Sequence, residues 1–467
     1  MGGMMASETT KPRSGTGGAI GDLTLPLERL TDAVQARAET VELVLVRQRL
    51  GLTRFARGRI HQSVEDETVR LVARVWGSGG RGIASSESSS LERISEIIDG
   101  ARDRAVGSAT VPPLHSEASY PQVQTWFDST ASAGPERRAA IAGEALERAG
   151  ENELSGHIRV GIQDVTIVNS AGLQVSAPLT FASFVVSAVA GRLETGSSSA
   201  ISRDIDDLPI SDAVDDAVRI ARAAVRPQPL AGGDYRVLLD PPAVSMILLN
   251  LGIIGLNSFS AIGKARGSSF VASNLGDPVA SPAITLVDDG ASDRGLGMPF
   301  DFEGTPKRPL TIIDQGIATA VAHDLTSAGD NGTTTGHALL GTEKTPTPTA
   351  LRIEGGDFAR SELVRGLGSG LVIRRVHPFV SLRGGPRAEI SGTSRDGVFI
   401  VEDGEIVGAA SNVRWSCSAL DLLMSVEGAS RERSVEFMDL PELFPSTNDV
   451  PSLLCGRLHV HGSQPRE

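Results

Sequence analysis

The sequence is poor in aromatic residues, in cysteine and in long apolar runs. Of its 467 residues, 4% are aromatic, and the two cysteines are Cys417 and Cys455. Two cysteines permit one disulfide bond but no disulfide framework, which favours a reducing compartment. No window approaches about 18 consecutive apolar residues, so we expect no transmembrane helix. These absences predict a soluble cytoplasmic protein without a membrane partner.

Basic residues are outnumbered by acidic ones. The chain has 44 Lys and Arg against 57 Asp and Glu, which gives a formal net charge of −13 at pH 7. No basic arm or stripe interrupts this acidic balance, and binding to a phosphate backbone depends on such clusters. We therefore expect no nucleic-acid partner. Apolar residues make up 40% of the chain, enough to bury a sizeable core.

The length of the chain predicts two domains. Residues 1–20 are mostly small and polar, so they are expected to form a disordered leader and not a signal peptide. Residues 21–229 combine apolar runs of strand length with segments of helical spacing such as Ile210–Val225, which predicts an α/β domain. The prolines and glycines of residues 227–233 mark the expected boundary.

Residues 230–467 have a different character. They open with a helix-like segment, Ala243–Phe259, and continue as short apolar runs separated by Gly, Pro and Asp. Such spacing is typical of an antiparallel barrel or sandwich. The Gly- and Thr-rich segment Ser327–Thr349 is expected to be a mobile loop. The predicted fold class is α+β: an N-terminal α/β domain with antiparallel strands and flanking helices, then a β-rich barrel- or sandwich-like domain.

Several short motifs occur in the same order as in the TldD/PmbA peptidase family. Leu52–Gln62 is similar to the family's TRFANNxIHQ hairpin, and Phe300–Pro306 resembles FDDEGxP. The other matching segments are Gly267–Phe270, Pro282–Gly290, Gly366–Leu371 and Ile400–Val407. Because these motifs are collinear over most of the chain, the sequence resembles this family, and specifically its TldE/PmbA branch.

The chain departs from the catalytic motif of that family. Catalytic members carry HExxxH on the helix that opens the C-terminal domain, so that two imidazoles on one side share a Zn²⁺ and the Glu activates water. An ungapped alignment places the three motif positions at Asn250, Leu251 and Gly255. None of these side chains can replace His or Glu. The resemblance therefore implies no catalytic residue, metal or cofactor in this chain, with zinc expected in a TldD-like partner.

The hairpin carries the most informative exposed candidates. In the family it belongs to the domain that helps to line the peptide cleft. The resemblance thus implies cleft-lining positions at Arg54, Phe55, Arg59, His61 and Gln62.

A second cluster lies near the end of the sequence. His459 and His461 would share one face of a strand, with Cys455 nearby, an arrangement that could bind a metal or serve an unconventional hydrolase. The family's catalytic cysteine should lie upstream of this strand, so a buried, inert cysteine is favoured for Cys455.

Three further motifs have simple structural interpretations. His323-Asp324 and His337 flank the Gly/Thr-rich segment and are expected to be exposed and not a catalytic dyad. The acidic run Asp204–Asp207 is expected to cap a helix and not to bind a cation. Gly366–Gly370 lacks the helix that a phosphate-binding loop requires, so a turn is expected.

The resemblance implies a non-catalytic subunit of a heterodimeric zinc metallopeptidase. Its partner would be a TldD-like catalytic subunit, and its substrates small or unfolded peptides, degraded or matured, including in natural-product biosynthesis. In isolation the chain could pair with itself as a homodimer. Two alternatives stay open: a stand-alone binding or regulatory homodimer, and a hydrolase that uses Cys455, His459 and His461.

Overall fold

The structure is a computed structural model that describes most of the chain. The described residues are 27–77, 80–87, 93–107, 111–191, 194–252, 257–265, 269–329, 333–340, 345–383, 387–438 and 446–463. They form 17 strands in two sheets, with helices between them. The leader expected at residues 1–20 lies outside the described residues.

The first sheet contains six antiparallel strands in the order β3-β2-β1-β4-β5-β6. The strands are β1 (Thr40–Ala56), β2 (Arg59–Gly77), β3 (Gly80–Glu87), β4 (Glu153–Asn169), β5 (Gln174–Ala190) and β6 (Glu194–Ser202). β1 and β2 form one long hairpin. Its turn needs the left-handed region, which Arg57 and Gly58 adopt with φ of 50° and 71°.

Helices cover one face of this sheet. They are α1 (Leu27–Gln35), α2 (Ile94–Asp103), α3 (Asp128–Ala131), α4 (Pro135–Ala149) and α5 (Ile210–Ala223). In α5 the buried residues include Ile210, Ala213 and Ala217, the helical stripe that the sequence predicts. A 3₁₀ turn at Ile205–Asp207 is capped by Asp204, whose side chain accepts from the Asp206 N–H. The capping role predicted for the acidic run is therefore confirmed.

The second sheet contains 11 strands, five of which close into a barrel. The strands are β7 (Gly233–Leu239), β8 (Leu286–Asp288), β9 (Leu310–Asp314), β10 (Ile317–Ala318), β11 (Leu351–Ile353), β12 (Gly370–Arg383), β13 (Glu389–Glu402), β14 (Glu405–Ala410), β15 (Arg414–Ser418), β16 (Val426–Met438) and β17 (Ser446–Val460). The order β17-β15-β13-β12-β7 closes because β17 also pairs with β7. The predicted α+β fold with a barrel-like C-terminal region is confirmed.

The helix that opens this region is α6 (Pro241–Gly252). Its residues are apolar on all sides and almost all buried, because it packs against the barrel strands and β16. The predicted helix is confirmed, but its predicted end at Phe259 is wrong: Asn257 has a positive φ of 46°, and Phe259 lies in a turn. The remaining helices are α7 (Ala261–Ala265), α8 (Phe270–Ser273), α9 (Leu325–Ala328), α10 (Arg360–Leu367) and α11 (Ala419–Met424).

The helix-free face of the first sheet meets the C-terminal region. At one end of this face, Val44 and Val46 pack with Phe300 and Phe302 in one apolar cluster. Beside them Arg74, which is fully buried, donates to Glu42 at 2.5 Å, to the Phe302 carbonyl at 2.7 Å and to the Leu339 carbonyl at 2.9 Å. The other end of the face is left open by this packing.

Candidate functional site

A cavity of about 410 Å³ lies between the open end of the first sheet and the C-terminal region. From the first sheet it is lined by His157, Val185 and Ser197–Ser199, on β4, β5 and β6. Opposite them lie α6, β12 and β16, together with α10. A concave site of this size between two parts of a chain is the usual position for a ligand.

Two elements present a regular face to the cavity. On α6, Pro242, Ser245, Met246 and Leu249 follow helical spacing and so share one side of the helix. On β16, four alternate residues and two of their neighbours line the cavity. The alternate residues are Ser430, Glu432, Ser434 and Glu436, and the neighbours are Arg433 and Phe437. The cavity wall is therefore partly apolar and partly rich in hydroxyl and carboxyl groups.

Arginines form the cationic part of the wall, and each is held by carboxylates. The residues are Arg360, Arg374, Arg375 and Arg433. Asp240, which precedes α6, accepts two hydrogen bonds of 2.7 Å from Arg360 and one of 3.1 Å from Arg374. Burial alone would raise the pKa of Asp240, but the hydrogen bonds and charges of Arg360 and Arg374 hold that pKa below its ordinary value.

Glu436 is the buried acid of the cavity wall. Its side chain is 8% exposed and accepts a 2.7 Å hydrogen bond from the Ser434 hydroxyl. Burial raises the pKa of Glu436, and the nearby Asp216 and Asp240 raise it further, against the opposing effects of Ser434 and Arg374. The carboxyl therefore lies in an environment that disfavours its charge.

The hairpin residues predicted to line a cleft are placed on different faces. A row of directly paired residues crosses the sheet from Gln62 through Arg54, His157 and Val185 to Ser199. Directly paired residues share a face, so Arg54 and Gln62 lie on the face that lines the cavity. The Arg54 guanidinium donates to the side-chain oxygen Oε1 of Gln62 at 3.5 Å.

The other three hairpin residues lie elsewhere. Phe55 is buried on the opposite face and stacks on Phe184 with a centroid separation of 6.3 Å. Arg59 and His61 are exposed near the tip of the hairpin. The cleft-lining role of the five residues stays a prediction.

The described positions that replace HExxxH do not fit a zinc ion. Asn250 is 1% exposed, and its amide donates to the Met246 carbonyl at 2.6 Å. Leu251 is fully buried in the core that fills the barrel region. Neither side chain lines the cavity. Gly255 lies outside the described residues.

The three residues of the C-terminal cluster, Cys455, His459 and His461, have different environments on and after β17. Cys455 is fully buried, and burial raises the pKa of its thiol to about 12, so a thiolate nucleophile is disfavoured. His459 is half-exposed, and its Nδ1 donates to the Asp234 carboxylate at 2.7 Å, while Nε2 of His461 lies 2.8 Å from the Ser416 hydroxyl. Within the described part of the chain, no group of three His, Cys, Asp or Glu side chains is placed to hold a metal.

A buried ionic cluster appears where an exposed pair was predicted. His337 and Asp324 are both fully buried, so the expectation that they are exposed is wrong. His337 lies 2.9 Å from Asp288 and 2.8 Å from the Thr335 hydroxyl. Burial would raise the pKa of Asp288, yet His337 and Lys307 lower that pKa to about 2. Sequence patterns missed this pair because its members lie 49 residues apart.

A second buried acid lies in the FDDEGxP-like motif. The Asp301 carboxyl accepts three hydrogen bonds of 2.9 Å, from the N–H groups of Glu303, Thr305 and Ala338. Burial, followed by the charge of Glu303, raises the pKa of Asp301 to about 7. These contacts fix the segment that covers the first sheet, so we assign the motif a structural role.

Two family models match the chain. The model of the PmbA/TldA metallopeptidase central domain matches residues 128–225, and that of the PmbA/TldA metallopeptidase C-terminal domain matches residues 232–462. A metalloprotease from Methanothermobacter thermautotrophicus is 23% identical over 229 residues, 46% of this chain and 46% of that protein. One from Archaeoglobus fulgidus is 22% identical over 235 residues, 46% of this chain and 53% of that protein. The match thus spans about half the length of these curated relatives.

Solved structures with the same fold come from several organisms. A proposed modulator of a DNA gyrase from Thermotoga maritima has a TM-score of 0.81 at 20% identity, covering 93% of this chain and 98% of its own. TldE from Thermococcus kodakarensis has a TM-score of 0.79 at 19% identity, with 93% and 98% covered. A proposed modulator of DNA gyrase from Bacteroides thetaiotaomicron has a TM-score of 0.77 at 17% identity, with 94% and 98% covered.

Proposed function

The chain belongs to the PmbA/TldD metallopeptidase family, and from this premise we propose that it is a non-catalytic subunit of a peptide-degrading pair. Its partner would be a TldD-like chain that carries HExxxH and the zinc ion. The observation that carries the proposal is the state of Asn250 and Leu251: one side chain is bound to the helix backbone and the other is buried in the core. Zinc chemistry at these positions would require a different set of side chains.

The cavity gives this subunit a role beyond assembly. It lies beside α6, between the open face of the first sheet and β16, and its volume suits a few residues of an extended peptide. We propose that it forms one wall of a shared cleft for small or unfolded peptides. Degradation of peptides and maturation of peptide natural products are both consistent with such a cleft.

Reconstitution with a partner tests the proposal. The purified chain is expected to hold no stoichiometric zinc and to leave peptides uncut. Mixing it with the HExxxH chain from the same cell should give a heterodimer with peptidase activity, and the interface should bury at least about 2,000 Å², as in obligate complexes. Mass measurement, metal analysis and peptide turnover report these outcomes.

A matched partner variant separates assembly from chemistry. If the motif glutamate of the partner is replaced by glutamine, the pair should assemble and remain inactive, because the general base is lost. Without its partner, the chain is expected to pair with itself as a two-fold homodimer. If the two chains neither bind nor gain activity, the proposal fails and a stand-alone binding protein takes its place.

A further inference from the structure

Not every charged side chain that lines the cavity forms an ion pair. Each of the four arginines has a carboxylate partner in an ion pair. The pairs are Arg360 with Asp240, Arg374 with Asp216 and Asp240, Arg375 with Asp396, and Arg433 with Glu354 and Asp449. Among the described residues, Glu432 and Glu436 alone of the cavity's carboxylates form no ion pair. The described part of the cavity wall therefore has two carboxylates outside an ion pair.

These two glutamates differ in their surroundings. Glu432 is exposed at the rim, where water solvates it. Glu436 is 8% exposed, and the Ser434 hydrogen bond and the charge of Arg374, which forms no ion pair with it, offset only part of the hydration that it loses. Four residues of extended strand separate the backbones of the two glutamates by roughly 13 Å, so both cannot bind one small cation. The buried carboxylate outside an ion pair is that of Glu436.

The groups near Glu436 suggest what kind of cation would fit. The Ser434 hydroxyl donates to Glu436, and two further hydroxyls, those of Ser245 and Ser452, line the same cavity as hydrogen-bonding groups. A hard metal ion such as Ca²⁺ needs about six to eight oxygen ligands, and no group of three ligating side chains occurs in the described residues. An ammonium group needs only one carboxylate and a few acceptors.

We propose that the Glu436 carboxylate binds the primary ammonium group of a peptide held in the cavity, either its amino terminus or a lysine side chain. This inference rests on the proposed peptide cleft and assigns the cleft a preference for peptides that carry a primary ammonium group. Binding would place the missing positive charge against the carboxylate and form a charge-assisted hydrogen bond, the strong class of such bonds.

Direct binding to the full-length chain tests the inference. The probes are three alanine-rich tetrapeptides with a fluorescent group at the carboxyl end: one with a free amino terminus, one acetylated, and one acetylated but containing a lysine. Fluorescence anisotropy measures the dissociation constant of each. The acetylated peptide without lysine should bind about tenfold or more weakly than at least one of the others, since a charged hydrogen bond contributes about that much. Which of the two binds identifies the source of the ammonium group.

Two glutamate variants form a matched pair. Glu436→Gln keeps the shape of the side chain and removes the charge, so binding of the preferred peptide should weaken about tenfold. Glu405→Gln makes the same change at an exposed position on β14, away from the residues that line the cavity, and should leave affinity within about twofold. Circular dichroism checks that both fold. If Glu436→Gln does not fold, the acetylation comparison on the unaltered chain decides.

Several outcomes would overturn the inference. They are equal binding of the three peptides, no binding of any of them, unchanged binding by Glu436→Gln, or an equal loss in Glu405→Gln. Failure of the proposed function is a separate result. An active heterodimer that processes acetylated and free peptides equally would refute the ammonium preference alone. Conversely, Glu436-dependent binding by a chain that never pairs would refute only the subunit role.

Discussion

At the scale of single residues, buried acids determine how the stability of the folded protein depends on pH. Asp301 has a pKa raised by burial and by Glu303, so the folded state holds a proton on it that the unfolded chain releases. This contribution to stability is fully present below the ordinary pKa of 3.8 and is lost as pH rises through about 7. Asp288 has a lowered pKa, so its contribution to stability is present at neutral pH and is lost as the pH falls towards that pKa.

Asp301→Asn tests this coupling. The amide cannot titrate, and its nitrogen cannot accept from the Ala338 N–H, so the variant should be less stable than the unaltered protein. Because only the unaltered protein loses stability as Asp301 ionises, the difference should be larger by a few kcal/mol at about pH 5 than at about pH 8. Urea unfolding at both pH values measures it. Asp403→Asn, in an exposed turn, is the control. A difference that does not depend on pH would contradict the assignment.

Residue patterns predicted some of these environments and missed others. Cys455 was expected to be buried in a strand, and it is fully buried on β17. His337 was expected to be exposed because its neighbours are Gly and Thr, yet Asp288 and Lys307 converge on it from distant segments. Local polarity indicates a loop, but the burial of a loop residue depends on which other segments cover it.

At the scale of elements, α6 carries the main departure from the family's catalytic pattern. The helix is apolar on every side, and the sequence predicted its existence and a start at Ala243, within the observed Pro241–Gly252, but placed its end too late, at Phe259. Its contacts with the barrel bury Leu251 completely. Restoring the motif here would place a charge where the chain has built a hydrophobic core.

Leu251→Glu should therefore destabilise the protein and not create a catalytic base. Burying an unpaired carboxylate costs several kcal/mol, whereas Leu251→Met conserves volume and should cost less than about 1.5 kcal/mol. Thermal unfolding followed by circular dichroism compares the two variants. We expect the same destabilisation, and no catalytic base, in the triple variant that combines Leu251→Glu with Asn250→His and Gly255→His. Equal melting temperatures for Leu251→Glu and Leu251→Met would show that this position is not part of the core.

Sequence patterns predicted elements better than their pairing. Helical spacing predicted α5, and the short apolar runs predicted a barrel or sandwich for the C-terminal region. The choice of a barrel could not be derived in advance. It depends on β17 pairing with β7, which lies more than 200 residues earlier. Contacts over such distances leave no local periodicity to recognise.

At the scale of the whole molecule, one buried arginine joins the first sheet to the segment that covers it. Arg74 binds Glu42 within the sheet and two carbonyls, those of Phe302 and Leu339, in the C-terminal region. The charged side chains of Arg74 and Glu42 are both fully buried. Loss of the Arg74 contact should therefore lower the stability of both regions together.

A double-mutant cycle measures this link. Arg74→Met should destabilise the protein by about 3–5 kcal/mol, because it removes a buried cation that donates to the buried Glu42 carboxylate. Adding Glu42→Gln removes that charge, so the double variant should be more stable than Arg74→Met alone. Urea unfolding of the four proteins gives the coupling. If the two single effects simply add, the buried pair does not act as a unit.

The closed barrel also constrains when the protein can acquire its final shape. β7 emerges from the ribosome long before its two barrel neighbours, β12 and β17. At typical synthesis rates of roughly 5–20 residues per second, the interval between β7 and β17 is on the order of tens of seconds. During that interval one edge of the nascent barrel has no strand to pair with, while the first sheet, whose strands all precede Arg203, is already complete. We therefore expect the barrel edge to be the part of the newborn chain that most needs protection from aggregation.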